Sequence, residues 1–191
     1  LFARKLIRQF IIRDRLDQKL RAYSFDLRRD NLGLQELAHT DTLTRLANRR
    51  RFDEVLAHER MRAARDNTPL ALILLDVDHF KKFNDHYGHP AGDACLQEVG
   101  RILAAQVNRN RDLAARYGGE EFAVILPDTD LAGAMAVAER LRHEIQALGL
   151  PHQPSPFGVV TASLGVAALA PDGTPDAGQM VAQADRQLYQ A

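Results

Sequence analysis

The sequence is poor in several features that would each commit it to a class of protein. It has one cysteine, Cys95, which excludes an intrachain disulfide and suits a reducing compartment. It has no net charge, 25 Lys+Arg standing against 25 Asp+Glu, which excludes a globally basic nucleic-acid binder. Its longest strongly apolar interior run is Leu70 to Leu75, far short of the ~18 residues that a membrane-spanning helix needs. No internal repeat or low-complexity segment is present, and residues 2–38 contain no proline, so no proline breaks a helix there. The residues show no signal peptide, and a chain that opens and closes inside helical patterns is expected to be part of a longer protein.

What is there is enough for a core. The 191 residues are 46% hydrophobic and 26% charged, an ordinary globular composition in a length that fits one domain with an extension. The zero charge is a cancellation: residues 1–50 hold 12 Lys+Arg and 6 Asp+Glu, a net +6, and residues 51–191 hold 13 and 19, a net −6. Two electrostatically different pieces are joined.

In the first piece, Leu16, Leu20, Tyr23, Leu27, Asp30, Leu34 and Leu37 recur at alternating steps of four and three, a heptad seam of the kind that winds two helices together. Two readings are open, an amphipathic helix packed on its own domain and a dimerising connector. The length and the basic outer face favour the connector, giving a signalling and dimerisation helix over residues 1–40 and a second domain over 41–191.

Thr40 or Asp41 offers the N-cap of a short new helix. The pattern then predicts a helix over about 50–65, a buried strand over 70–77, a helical turn near 79–84, a Gly/Pro loop over 87–92 and a helix over about 93–107. Two strand patterns, 113–117 and 122–126, flank Gly118-Gly119, a hairpin signal because both glycines can take positive φ. A helix over 130–148, a strand over 158–169 and a helix from Pro175 onward complete an α+β fold, a mostly antiparallel sheet surrounded by helices.

The apolar strand ends in Asp76-Val77-Asp78, and Glu120-Glu121 follow the Gly-Gly turn. If the two strands are neighbours, these carboxylates converge, and clustered carboxylates usually mean a hard divalent cation on oxygen ligands. Mg²⁺ is the first choice, since it takes one or two carboxylates and keeps room for water and phosphate; two such ions suit an in-line phosphoryl displacement. Lys81, on the turn after the strand, can meet phosphate charge together with helix-start N–H groups. Asn84 and Asp93 carry acceptors suited to a guanine edge. Singly, each of these has an ordinary surface reading; the combination carries the chemistry. Cys95 reads as a small packing residue, His143 and His152 as surface residues, and Tyr117 and Phe122 as core flanks of the hairpin.

The segment from Asp76 through His79, Phe80, Lys81, Asn84, His89 and Gly92 to Asp93, followed by Arg116-Tyr117-Gly118-Gly119-Glu120-Glu121-Phe122, resembles the GGDEF diguanylate cyclase family in its GGEEF form. Asp41-Thr42-Leu43-Thr44-Arg45-Leu46-Ala47-Asn48-Arg49-Arg50 matches that family's opening motif, so the resemblance runs from about residue 39 to the end. It implies a nucleotidyl-cyclase, palm-like domain behind a coiled-coil helix, in which a homodimer condenses two GTP into cyclic di-GMP and two pyrophosphates. Asp76, the Val77 carbonyl and Glu120 would hold Mg²⁺, two ions per active site, with Mn²⁺ also suitable. Glu120, Glu121 and Lys81 would be catalytic. His79, Phe80, Lys81, Asn84, His89, Asp93, Gly118 and Gly119 would bind substrate, His79 mostly through its backbone. Arg109-Asn110-Arg111-Asp112 fits the family's RxxD inhibitory motif, and Arg140 matches a residue that completes the product site across a dimer, which implies feedback inhibition by cyclic di-GMP. The resemblance also implies a Lys and a Gly-Arg-Asn stretch beyond Ala191, an upstream sensor domain, a cytoplasmic catalytic domain in a full-length protein that can be membrane-anchored, and no nucleic-acid partner. A degenerate domain that only senses the nucleotide would be free to lose the acids and Lys81. A polymerase palm would show a basic track for its polyanion, against the net −6 of residues 51–191.

Overall fold

The computed structural model describes residues 39–107, 109–169 and 177–190. The heptad seam lies outside the described residues, which belong to the compact unit His39–Ala191. In chain order they form α1 (Arg49–Asp66), β1 (Leu70–Val77), α2 (Phe80–Tyr87), α3 (His89–Gln106), β2 (Leu113–Arg116), β3 (Glu121–Pro127), α4 (Leu131–Ala147), β4 (Ala162–Leu169) and α5 (Ala177–Leu188). The four strands make one sheet in the order β2-β3-β1-β4, each neighbouring pair antiparallel. The expected α+β layout is therefore observed.

The alternation of β1 divides the core in two. Ile73, Leu75 and Val77 face one side, against Phe80 and Phe83 of α2, Leu96 and Leu103 of α3, and Leu141 and Ile145 of α4. Leu70, Leu72 and Leu74 face the other, against Phe52 and Leu56 of α1 and Met180 and Ala184 of α5. With both faces covered, β1 reads as a continuous apolar run. Gly165 on β4 sets how closely α5 can approach: a Cβ there would lie 2.0 Å from the Ala184 carbonyl oxygen and 2.5 Å from the Leu188 nitrogen. Among the described residues no helix is long and apolar enough to cross a membrane.

Several local expectations are corrected: the Gly/Pro loop expected over 87–92 is taken up by the end of α2 and the first turn of α3, and the strand expected from 158 begins at Ala162. The short helix expected after Thr40 is a turn, in which the Asp41 carboxylate accepts from the Thr44 N–H at 2.9 Å and the Thr44 hydroxyl at 2.8 Å. The helix N-cap falls instead on Asn48, which accepts from the Arg51 N–H at 3.1 Å. The hairpin expected at Gly118-Gly119 does form, β2 pairing antiparallel with β3, but not through positive φ. Neither Gly118 nor Gly119 lies in the left-handed region, because the loop has four residues and is closed by the Tyr117 and Gly118 N–H groups, both donating to the Glu121 carbonyl at 2.8 and 3.2 Å.

Candidate active site

The site is built where β1 and β3 end together. Asp76 is the register partner of Glu121 on one side and of Ser163 on the other. One residue on, the Val77 N–H donates to the Glu120 carbonyl at 3.4 Å, so the central strand and the turn are joined by backbone at the point where the acids meet. The half-buried Asp76 carboxyl is pushed up to about 6, first by desolvation and then by the negative charges of Glu120, Glu121 and Asp78. Asp78 has a different fate: its carboxylate accepts from the Thr161 hydroxyl at 2.6 Å and the Ser163 hydroxyl at 2.8 Å. It ties the end of β1 to β4, whereas Asp76 has no hydrogen bond or ion pair from any described side chain.

A half-buried carboxylate facing other carboxylates is poorly matched to an empty site and well matched to a cation. Among the described residues no three of His, Cys, Asp and Glu are grouped to close around an ion. Two carboxylates and a carbonyl are an open set of hard oxygen ligands, which fits Mg²⁺ better than Zn²⁺. A cleft of about 610 Å³ opens on the acids, lined by Asp76, Asp78, Glu121 and Ser163 and closed by Asp185, Arg186 and Tyr189 from the end of α5 and just after it. Asp185 and Arg186 belong to none of the sequence motifs; nothing in the α5 pattern distinguishes them from solvated helix residues.

The turn itself is braced by Arg116, whose Nε and Nη2 donate to the Gly119 carbonyl at 3.0 and 2.8 Å and whose Nη1 reaches Asp41 at 3.4 Å. That fork joins the opening motif to the Gly-Gly turn; burial opposes the Asp41 charge, but the two Thr44 hydrogen bonds and then Arg116 hold its carboxyl below the ordinary value. At Gly118 a Cβ would sit 2.3 Å from Glu121 Oε2 and so displace that carboxylate, whereas a Cβ at Gly119 would meet nothing within 4 Å. The backbone at Gly119 is thus open to a ligand.

Beyond β1, His79 takes a left-handed conformation, φ 57°, and starts α2 with no side-chain cap. The first N–H groups of α2 therefore have no intrahelical acceptor and lie beside the exposed Lys81. Asn84 projects toward α3, where Gly92 makes room: a Cβ at residue 92 would fall 1.9 Å from Asn84 Oδ1. That Oδ1 is buried with no hydrogen-bond partner, an acceptor left for a donor from outside the chain. His89 and Asp93 are exposed on the first turns of α3.

Arg109 and Asp112 share a tight turn, the Asp112 N–H donating to the Arg109 carbonyl at 3.1 Å. Burial holds the Asp112 carboxyl above its ordinary value, against the pull of Arg109. Arg140 is exposed on α4 and makes no hydrogen bond or ion pair with either among the described residues. Cys95 is buried, with its thiol pushed up to about 11 by desolvation, as suits a packing residue. His143 is a surface residue beside Glu139, and Phe122 is fully buried. His152 is the exception to the expected surface placement: it is completely buried, carried inward by a loop whose packing no helical or strand period reveals.

Comparison with known proteins agrees with this architecture. The family described as "Diguanylate cyclase, GGDEF domain" matches residues 38–191. The chain is 44% identical over 176 residues to the response regulator PleD of Caulobacter vibrioides, covering 87% of this chain and 37% of that protein. It is 37% identical over 165 residues to diguanylate cyclase A of Treponema denticola, covering 85% of this chain and 44% of that protein. The chain thus spans less than half the length of these relatives. Among solved structures, the coiled coil and GGDEF domain of DgcB from Caulobacter crescentus, in complex with c-di-GMP, superposes with a TM-score of 0.81 at 32% identity, covering 93% of this chain and 92% of that one. Diguanylate cyclase SiaD of Pseudomonas aeruginosa, in complex with its activator SiaC, gives 0.73 at 33% identity over 99% of this chain and 71% of that one.

Proposed function

Because the chain belongs to the GGDEF family of diguanylate cyclase domains, we propose that it condenses two GTP molecules into cyclic di-GMP with release of two pyrophosphates. Each 3′-oxygen forms a bond to the other nucleotide's α-phosphorus as the bond to pyrophosphate breaks, and each 3′-OH gives up its proton. The observation that carries this reading is the convergence of Asp76 with Glu120 and Glu121, unneutralised by any described side chain.

Asp76, the Val77 carbonyl and Glu120 would hold Mg²⁺ or Mn²⁺, two ions per active site; when bound, the metal neutralises phosphate charge and acidifies the 3′-OH. Glu120 accepts the 3′-OH proton, with Glu121 beside it. The N–H groups at the start of α2 and the Lys81 ammonium take the triphosphate, and Gly118 and Gly119 let it approach the turn. Asn84, Asp93 and His89 line the guanine. An Asp at 93 selects guanine over adenine, which presents an acceptor at N1 and has no N2 amine. Since one chain supplies one GTP, two domains must face each other, and residues 1–40 are the proposed dimerising connector to an upstream sensor, ahead of a catalytic domain over 41–191.

The test is direct. The full-length dimer, incubated with GTP and Mg²⁺, yields cyclic di-GMP by chromatography and yields no corresponding product from ATP. A confirmed dimer that forms none overturns the reading in favour of a nucleotide-sensing module.

Arg109, Asp112 and Arg140 form the proposed product site. A guanidinium can fork onto guanine O6/N7 or a phosphate, and a carboxylate can accept from the Watson–Crick edge. Arg109→Ala is expected to raise the product concentration needed for half-inhibition by about tenfold or more, a loss of ~1.4 kcal/mol or more, with initial rates unchanged. Turnover that stays as sensitive to added product as the parent's removes the site from this loop.

A further inference from the structure

His152 is a fully buried histidine on a loop. The loop that carries it runs between the end of α4 and β4 and contains Pro151, Pro154 and Pro156. It closes on itself through the His152 N–H to the Gly158 carbonyl at 3.0 Å and the Ser155 N–H to the His152 carbonyl at 3.0 Å. The imidazole is fully buried, edge-on to Phe83 with ring centres 5.2 Å apart. Its Nε2 lies 3.3 Å from the His79 carbonyl. A carbonyl only accepts, so Nε2 carries the proton. The other nitrogen, Nδ1, is buried with no partner.

An unpaired buried nitrogen weakens the fold, and a phenyl ring would fill the same space without it. Packing alone therefore does not account for a histidine. What the imidazole adds is the bond to His79, the left-handed residue that starts α2. The His79 carbonyl also accepts from the Phe83 N–H at 3.1 Å, so both its lone pairs are used and the first turn of α2 is fixed from two directions. A second tie lies further along: the Gln153 N–H donates to the Tyr87 hydroxyl at 3.0 Å. The 151–159 loop thus grips both ends of α2.

We infer that His152 is a positioning residue for the substrate's phosphates: its Nε2–H holds the strained His79 turn so that the free N–H groups of α2 and Lys81 are aimed before GTP arrives. The inference rests on the reading of that turn as the GTP phosphate seat. A residue in the left-handed region persists only where its surroundings over-determine it; with the Phe83 N–H left as the one bond to its carbonyl, the His79 turn is looser and must be re-ordered at the expense of binding.

The experiment compares His152→Phe, His152→Gln and the parent in the full-length protein. GTP binding is measured with Ca²⁺ replacing Mg²⁺ to hold back turnover, alongside KM, kcat and Tm. His152→Phe is expected to weaken GTP binding and raise KM by about tenfold, with kcat within about twofold and Tm equal to or above the parent's. Glutamine can present an N–H near the Nε2 position, and His152→Gln is expected to bring KM back to within about threefold. A KM unchanged in His152→Phe, or a rise that tracks a fall in Tm and is not relieved by glutamine, overturns the inference. Should His152→Phe fail to fold, Tyr87→Phe decides, since it removes the second tie without entering the core: an unchanged KM counts against the grip and a raised one for it. A parent that binds no GTP overturns the functional reading, and the inference with it; a parent that binds GTP equally well with and without His152 overturns the inference alone.

Discussion

Glu120→Gln is expected to lower cyclic di-GMP formation by at least about a thousandfold, the scale on which loss of a charge-stabilising or metal-holding group acts. Glutamine keeps the size and reach of the side chain and removes only its charge. The backbone bond from the Val77 N–H to the Glu120 carbonyl is untouched, as are the Asp76–Glu121 register and the Arg116 fork on Gly119. The variant should therefore fold and dimerise like the parent and still bind GTP through Asn84, Lys81 and the start of α2. Initial rates by chromatography, with light scattering to confirm the dimer, check this. Residual turnover within tenfold of the parent, in a folded dimer, would show that Glu120 neither holds the metal nor moves the proton.

Much of that site is readable before any coordinates because its chemistry is local. A run of six apolar residues that stops at Asp76 announces a buried strand delivering an acid to a sheet edge, and the turn residues before Glu120 announce a second strand. The antiparallel pairing of β1 with β3, which makes the acids converge, follows from an if in the sequence and from register in the structure. What the sequence does not carry is of two kinds. Capping competition is one: Thr40, Asp41 and Asn48 are all good N-caps, and only the side-chain bond of Asp41 to Thr44, which uses that carboxylate in a turn, leaves Asn48 to start α1. Non-periodic packing is the other. His152 sits in a proline-rich loop with no hydrophobic period, so its burial against Phe83 and its bond to His79 are invisible until α2 and the loop are brought together. The Gly-Gly hairpin is legible, since β2 and β3 do pair around it, but its backbone is not: the four-residue loop closes without left-handed glycines.

Asp76→Asn is expected to abolish turnover and yet stabilise the metal-free protein near pH 7.5, two effects of opposite sign from one charge. The Asp76 carboxyl is raised to about 6 from an ordinary 3.8 by burial and by the acids around it. Between those values the folded state holds a proton that the unfolded chain has released, so the stability Asp76 confers is full below about pH 4 and is lost as pH rises through about 6. At pH 7.5 the parent folds around an unfavourable charge that asparagine lacks. The carboxyl is half-exposed, and solvent screening reduces the difference to about 1 kcal/mol, or about 2–4 °C in Tm for a chain of this size. In EDTA, then, the variant melts above the parent at pH 7.5, and the gap closes as pH falls toward 4. Mg²⁺ reverses the order, because it stabilises only a folded state that binds it, and the parent alone keeps both carboxylates. Should the variant melt no higher than the parent in EDTA, the acids are not held against their own repulsion; should Mg²⁺ raise both melting temperatures equally, Asp76 is not a ligand.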